Sequence, residues 1–136
     1  MACLDTTALI DLSGGRGRRS RERARRKVEA LRAAGETLVT TRFNVAEMWV
    51  GVHRSSDPVT EVAKLRTVLR PLPVLDFGRR SAETFGRVVG RLMEAGLRIG
   101  DMDALIASVC LVEGHSVVTR NAAHFARVPG LAVETY

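Results

Sequence analysis

The sequence predicts an α/β fold: a mainly parallel central sheet of about five strands with helices on both faces. Two observations carry this expectation. Short β-branched or apolar runs alternate with stretches of helical period from one end of the chain to the other. The segment Met102–Glu113 is apolar almost all round, which is the pattern of a helix buried in a core.

The elements follow in order. Ala2–Leu4 reads as a first strand, ended by Asp5. Thr6–Leu12 mixes apolar and capping residues, and Ser13-Gly14-Gly15 is a loop signal. Arg16–Ala34 is an Arg-rich amphipathic helix whose apolar stripe includes Val28 and Leu31, with Gly35 as its C-terminal stop. Thr37–Thr40 is a strand, and Arg42–His53 a helix with Val45, Met48, Trp49 and Val52 at helical spacing. Pro58 opens the next helix, Val59–Leu69. Pro71–Leu75 is a strand kept short by its prolines. Ser81–Glu94 is a helix, stopped by Gly96. The buried helix Met102–Glu113 ends at Gly114, Ser116–Thr119 is a fourth strand, Asn121–Ala126 is a helical turn or loop, and Gly130–Tyr136 holds a final short strand.

The 136 residues make one domain, 1–136, without a repeat or linker. Hydrophobic residues are 46% and charged residues 26%, enough for a core and against disorder. The formal charge of +6 points towards an anionic partner, nucleic acid first. Cys3 and Cys110 lie in apolar surroundings; they read as buried free thiols in a reducing, cytoplasmic context, and the absence of Cys-x-x-Cys or paired Cys/His spacing speaks against a structural zinc site. The N-terminal residues lack the pattern of a signal peptide, and no apolar run approaches the roughly 20 residues of a membrane span.

In a parallel α/β sheet, sites form beyond the carboxyl ends of the strands. Asp5 and Asn121 stand there. Glu47 lies in an otherwise apolar helix with Val50 and Gly51 on its own face; it is either a solvated acid or a site acid. Asp101 and Asp103 suit the start of a helix as N-cap and first-turn acid. Asp103 also shares a helical row with Ile106, Ala107 and Cys110, and a carboxylate facing packed structure needs a partner. A hard divalent cation is one such partner, and it serves phosphodiester hydrolysis.

The series Asp5-Thr6-Thr7, Glu47, Ile99-Gly100-Asp101-Met102-Asp103-Ala104-Leu105-Ile106-Ala107 and Val118-Thr119-Arg120-Asn121-Ala122-Ala123-His124-Phe125 resembles the PIN domain. The closing Val128–Glu134 resembles the tail of bacterial VapC toxins. The resemblance implies a PIN-like fold and a metal-dependent endoribonuclease that acts as the toxin of a toxin–antitoxin pair. It implies Mg2+ (or Mn2+), an RNA substrate (tRNA, rRNA or mRNA), a VapB-like antitoxin and a homodimer. Carried over by position, Asp5 and Asp103 are the main metal-binding acids and Glu47 the third, with Thr7 and Thr119 as hydroxyl support. Asn121 stands where many members have a fourth acid, and Asp101 where Pro or Ala is frequent. Asp101 is then either an added metal-binding acid or the helix cap.

Arg18, Arg19, Arg21 and Arg23 head the Arg-rich segment, which reads as a solvated face or as a contact for RNA phosphates. A nucleic-acid-binding module with weak or absent nuclease activity is the alternative, motivated by Asn121. A receiver-type signalling domain would need an acidic pair after the first strand and a late Lys; Asp5 is followed by threonines, and no Lys occurs after Lys64.

Overall fold

Alternation along the strands decides the layering. In the computed structural model, which describes residues Met1–Tyr136, the strands are β1 (Ala2–Leu4), β2 (Leu38–Thr41), β3 (Val74–Leu75), β4 (Ser116–Val118) and β5 (Val133–Glu134). They form one sheet in the order β3-β2-β1-β4-β5, every pair parallel. Cys3 pairs with Val39 on one side and Val117 on the other. Successive side chains point to opposite faces. Ala2, Leu4, Leu38 and Val118 therefore enter one core, while Cys3, Val39 and Val117 enter a second.

Helices cover both faces, as the unbroken apolar character of the strands requires. α1 (Thr6–Leu12), α2 (Arg18–Ala33), α3 (Arg42–Arg54) and α4 (Pro58–Leu69) supply Leu9, Val28, Leu31, Met48, Val52 and Leu65 to the first core. α5 (Arg79–Glu94), α6 (Asp101–Glu113) and α7 (Ala122–Phe125) supply Val88, Leu92, Ile106, Ala107 and Phe125 to the second. Both cysteines are buried free thiols, as expected. No helix is long and apolar enough to cross a membrane.

Several local differences have plain causes. Thr6–Leu12 forms a helix, because Asp5 caps it by accepting the Ala8 amide. β3 is shorter than the run Pro71–Leu75, since proline offers no amide to a ladder; the Pro73 carbonyl still accepts from Thr40. α6 begins at Asp101 with Gly100 as N-cap, so Asp101 is not the cap. That helix ends at Gly114, whose φ of 68° is the left-handed turn that favours glycine.

After β3 the chain crosses back past β1 to form β4 on the other side. The switch in strand order lies between β1 and β4. Neighbouring connections diverge there and leave a crevice at the carboxyl ends.

Candidate active site

Asp5 follows β1 directly, at the carboxyl end of the sheet where the strand order switches, and is only 4% exposed. Its Oδ1 accepts from the Ala8 amide at 3.0 Å and from the Thr7 hydroxyl at 2.6 Å. Its Oδ2 accepts from the Thr119 hydroxyl at 2.6 Å. The two threonines are in turn held by successive amides of the turn after β4: Arg120 N donates to Thr7 Oγ1 (3.0 Å) and Asn121 N to Thr119 Oγ1 (2.8 Å). Burial pushes the Asp5 carboxyl above its ordinary range, and the donors from Thr119, Thr7 and Ala8 only partly offset this.

Glu47 reaches the same place from α3. Thr41 caps that helix reciprocally with Asn44, so α3 starts immediately at the end of β2. Asn44 Nδ2 donates to Thr6 Oγ1 at 3.1 Å, and the Thr6 hydroxyl donates to Glu47 Oε2 in a short contact. Half-burial raises the Glu47 carboxyl, the Thr6 hydroxyl pulls it down, and the charges of Asp103 and Asp5 raise it again. Glu47 is therefore near enough to feel both of the other acids.

Asp103, on the first turn of α6, is partly buried, and its Oδ2 lies 3.2 Å from Asn121 Nδ2 and 2.8 Å from His124 Nδ1. Asn121 is the N-cap of α7 yet makes no cap bond with its side chain. Its amide group donates to Asp103, and its Nδ2 lies 2.9 Å from His124 Nδ1, the ring nitrogen that also faces Asp103.

The structure links Asp5, Thr7, Thr119, Asn121 and Asp103 in one hydrogen-bonded network, with Glu47 beside them. Asp101 does not join them. Its exposed side chain pairs with Arg98 at 3.5 Å, which places it away from the expected metal-binding set. Arg18, Arg19, Arg21 and Arg23 lie exposed on α2, and of these only Arg18 is ion-paired, with Glu22. Sequence reading missed Thr6, Asn44 and His124. A Thr-x-x-Asn capping pattern at Thr41 and the i+3 spacing of His124 from Asn121 were the signals available.

No Lys or Arg pairs with Asp5, Glu47 or Asp103; His124 is the only basic side chain in contact with any of them. The side chains do not themselves close tightly round a point. Carboxylate oxygens without a resident cation form the donor set that Mg2+ takes while keeping much of its water. The chemistry of the donor set suits such an ion, although no three of these side chains stand close enough together to hold one unaided. Glu47 and Thr6 also open on a groove of about 630 Å3 lined by Val50, Gly51, Arg54 and Met102.

The PIN domain family model matches residues 2–131. The chain belongs to the PIN domain family. Among relatives of this PIN domain, ribonuclease VapC2 of Rickettsia felis is 32% identical over 106 residues, covering 78% of the chain and 79% of the relative. The tRNA(fMet)-specific endonuclease VapC of Salmonella typhimurium is 29% identical over 94 residues, 69% of the chain and 71% of the relative. In three dimensions the PIN domain is similar to the crystal structure of VapBC2 from Rickettsia felis bound to a promoter DNA fragment. The TM-score is 0.89 at 27% identity, covering 99% of this chain and 98% of that one.

Proposed function

We propose that this PIN domain is an endoribonuclease of the VapC type, the toxin of a toxin–antitoxin pair, and that it hydrolyses RNA with Mg2+ or Mn2+. The observation that carries the reading is the hydrogen-bonded run from Asp5 through Thr119 and Asn121 to Asp103 at the switch point, with no Lys or Arg ion-paired to Asp5, Glu47 or Asp103. The names of its relatives support the ribonuclease part of this reading.

Asp5 and Asp103 would hold the ion, with Glu47 as the third acid. Bound there, a divalent cation supplies positive charge against the phosphate and makes water more acidic. The chain's own residues do the rest. Thr7, Thr119 and the Ala8 amide stop the Asp5 carboxylate from rotating. Asn121 and His124 orient Asp103. Thr6 orients Glu47 through Oε2. The raised carboxyl of Glu47 suits it to take a proton from the attacking water. Arg54, in the same groove, is placed to meet a phosphate of the RNA. The exposed arginines of α2 extend that attraction beyond the site.

Asn121 is short of charge as a ligand, but its hydrogen bond to Asp103 gives it a positioning role in an active site. A structured RNA such as tRNA is the substrate class suggested by the Salmonella relative's name. The VapBC2 structure suggests a VapB-like antitoxin. We place its contact on the α3 surface, where Trp49 and Val50 are exposed beside Glu47. A homodimer acting in the cytoplasm completes the proposal.

The purified chain, freed of any partner, should cleave labelled RNA with Mg2+ or Mn2+ and stop in excess EDTA. Cleavage undiminished by EDTA would overturn the metal mechanism. RNA binding without cleavage under any divalent ion would favour the binding-module reading.

A further inference from the structure

Asp11 is a fully buried carboxylate at the end of α1 that the chemistry above does not use. Its Oδ2 accepts from the Tyr136 hydroxyl at 2.8 Å and lies 2.5 Å from Arg120 Nε. Its Oδ1 accepts nothing. The arginine contact is an ion pair rather than an aligned hydrogen bond, since Nε finds no acceptor along its N–H direction. A carboxylate removed from water is costly unless paired, so the burial of Asp11 depends on these two partners. Burial and the Asp11 carboxylate also hold the Tyr136 phenol well above its usual range, which keeps it a donor.

A buried ion pair is weak grounds for stability, because apolar side chains of similar volume often serve as well. Position gives this one a different meaning. Arg120 lies between Thr119 and Asn121, and its own amide donates to Thr7 Oγ1. The next amide donates to Thr119 Oγ1. Those two hydroxyls donate to the two oxygens of Asp5. Asn121 delivers its side chain to Asp103. Arg120 is therefore held to α1 twice, by its amide at Thr7 near the start and by its guanidinium at Asp11 near the end. Tyr136, beyond β5, ties the edge of the sheet to the same carboxylate.

We propose that Asp11, Arg120 and Tyr136 form a buried clamp that positions the turn Thr119–Asn121, and through it the carboxylates of Asp5 and Asp103. They are positioning residues for the cleavage reaction proposed above, and the inference rests on that reading. A shift of about 1 Å at such a turn is enough to cost on the order of a hundredfold in rate.

The test uses the full chain with Tyr136→Phe, Arg120→Gln and Arg120→Lys. Amide hydrogen exchange, read by NMR without metal, should quicken about tenfold at Arg120 and Asn121, while strand amides of β2 and helix amides of α5 keep the parent rates. With RNA and Mg2+, kcat should fall about tenfold and KM stay within about twofold, the split expected when orientation rather than binding is lost. Arg120→Lys, which keeps the charge, should recover part of the loss that Arg120→Gln shows. Parent-like exchange and kcat in both Tyr136→Phe and Arg120→Gln would overturn the clamp. So would exchange that quickens equally across the whole sheet, because the network would then serve only global stability. If the parent chain itself cleaves no RNA, the functional reading falls, and the local exchange contrast alone decides the positioning claim.

Discussion

Asp101 and Asp103 show how one residue of spacing separates two roles. Side chains two apart on a helix point about 200° away from each other. On α6 that sends Asp101 outward to Arg98 and Asp103 inward to Asn121 and His124. Asp103→Asn should therefore lower cleavage at least about 100-fold, the upper end of what even outer-shell changes at a metal site cost. Its fold should survive, because the amide still fits between Asn121 and His124. Asp101→Asn should keep most activity. Its cap role passes to Gly100, so the stability change should stay within about 0.5 kcal/mol, as for ordinary surface substitutions. Single-turnover cleavage and denaturant melts of both variants check this. An inactive Asp101→Asn beside an active Asp103→Asn would reverse the assignment. The capping aspartate expected from the sequence is the instructive miss: acid preference at helix starts is real, but Gly100 adopts the extended cap conformation and leaves Asp101 inside the helix.

At the scale of elements, α2 carries its charge on the outside. Ala24, Val28 and Leu31 face the core, while Arg18, Arg19, Arg21, Arg23, Arg25 and Arg26 are exposed. This is the amphipathic pattern read from the sequence, and the structure adds that few of these arginines are spent on ion pairs. Replacing Arg18, Arg19, Arg21 and Arg23 with Gln should weaken RNA binding. If all four meet phosphates, the slope of log K against log salt should become shallower by about 3, from roughly 0.7 per phosphate contact on single strands. An unchanged slope in a filter-binding or anisotropy titration would assign α2 to solvent or to a protein partner. α1 was less legible than α2, since seven residues starting with two threonines give too short a pattern. Its helix depends on Asp5, whose oxygen both caps it and serves the site.

For the whole molecule, the acid site should show in the pH dependence of stability. Burial raises Asp5 and Glu47 above the ordinary carboxylate range. The folded chain then holds protons that the unfolded chain has released. This contribution to stability is fully present below about pH 4, near the unfolded carboxylate value, and is lost as pH rises through the higher folded values. Glu134 works in the opposite sense, because Lys27 and Ser116 hold its carboxyl low. The site's share is therefore the difference between the parent and an Asp5→Asn/Glu47→Gln double variant, measured by denaturant melts without metal. The parent should lose stability relative to the variant as pH rises from about 4 to about 8, and Mg2+ should restore it by binding the folded state. Parallel curves would mean that the acids are not held above their ordinary range.

The class of fold was legible along the chain, and so were the acids proposed for the site. Apolar period is a local property, so alternating strands and helices, the buried α6 and the acid after β1 could be read directly. The residue series around Asp103 and Asn121 added the family resemblance, which the family match bears out. Tertiary structure alone decided which side chains meet. Thr119 reaches Asp5 across 114 residues of chain, and Tyr136 reaches Asp11 across 125. No local period encodes such pairs. They exist because β4 packs beside β1 after the chain has crossed the sheet, which brings the turn at Arg120 against the helix that Asp5 begins. The same packing turned Thr6, Asn44 and His124 into site residues, since each acts through a hydrogen bond made only when α1, α3, α6 and α7 close round the ends of the strands.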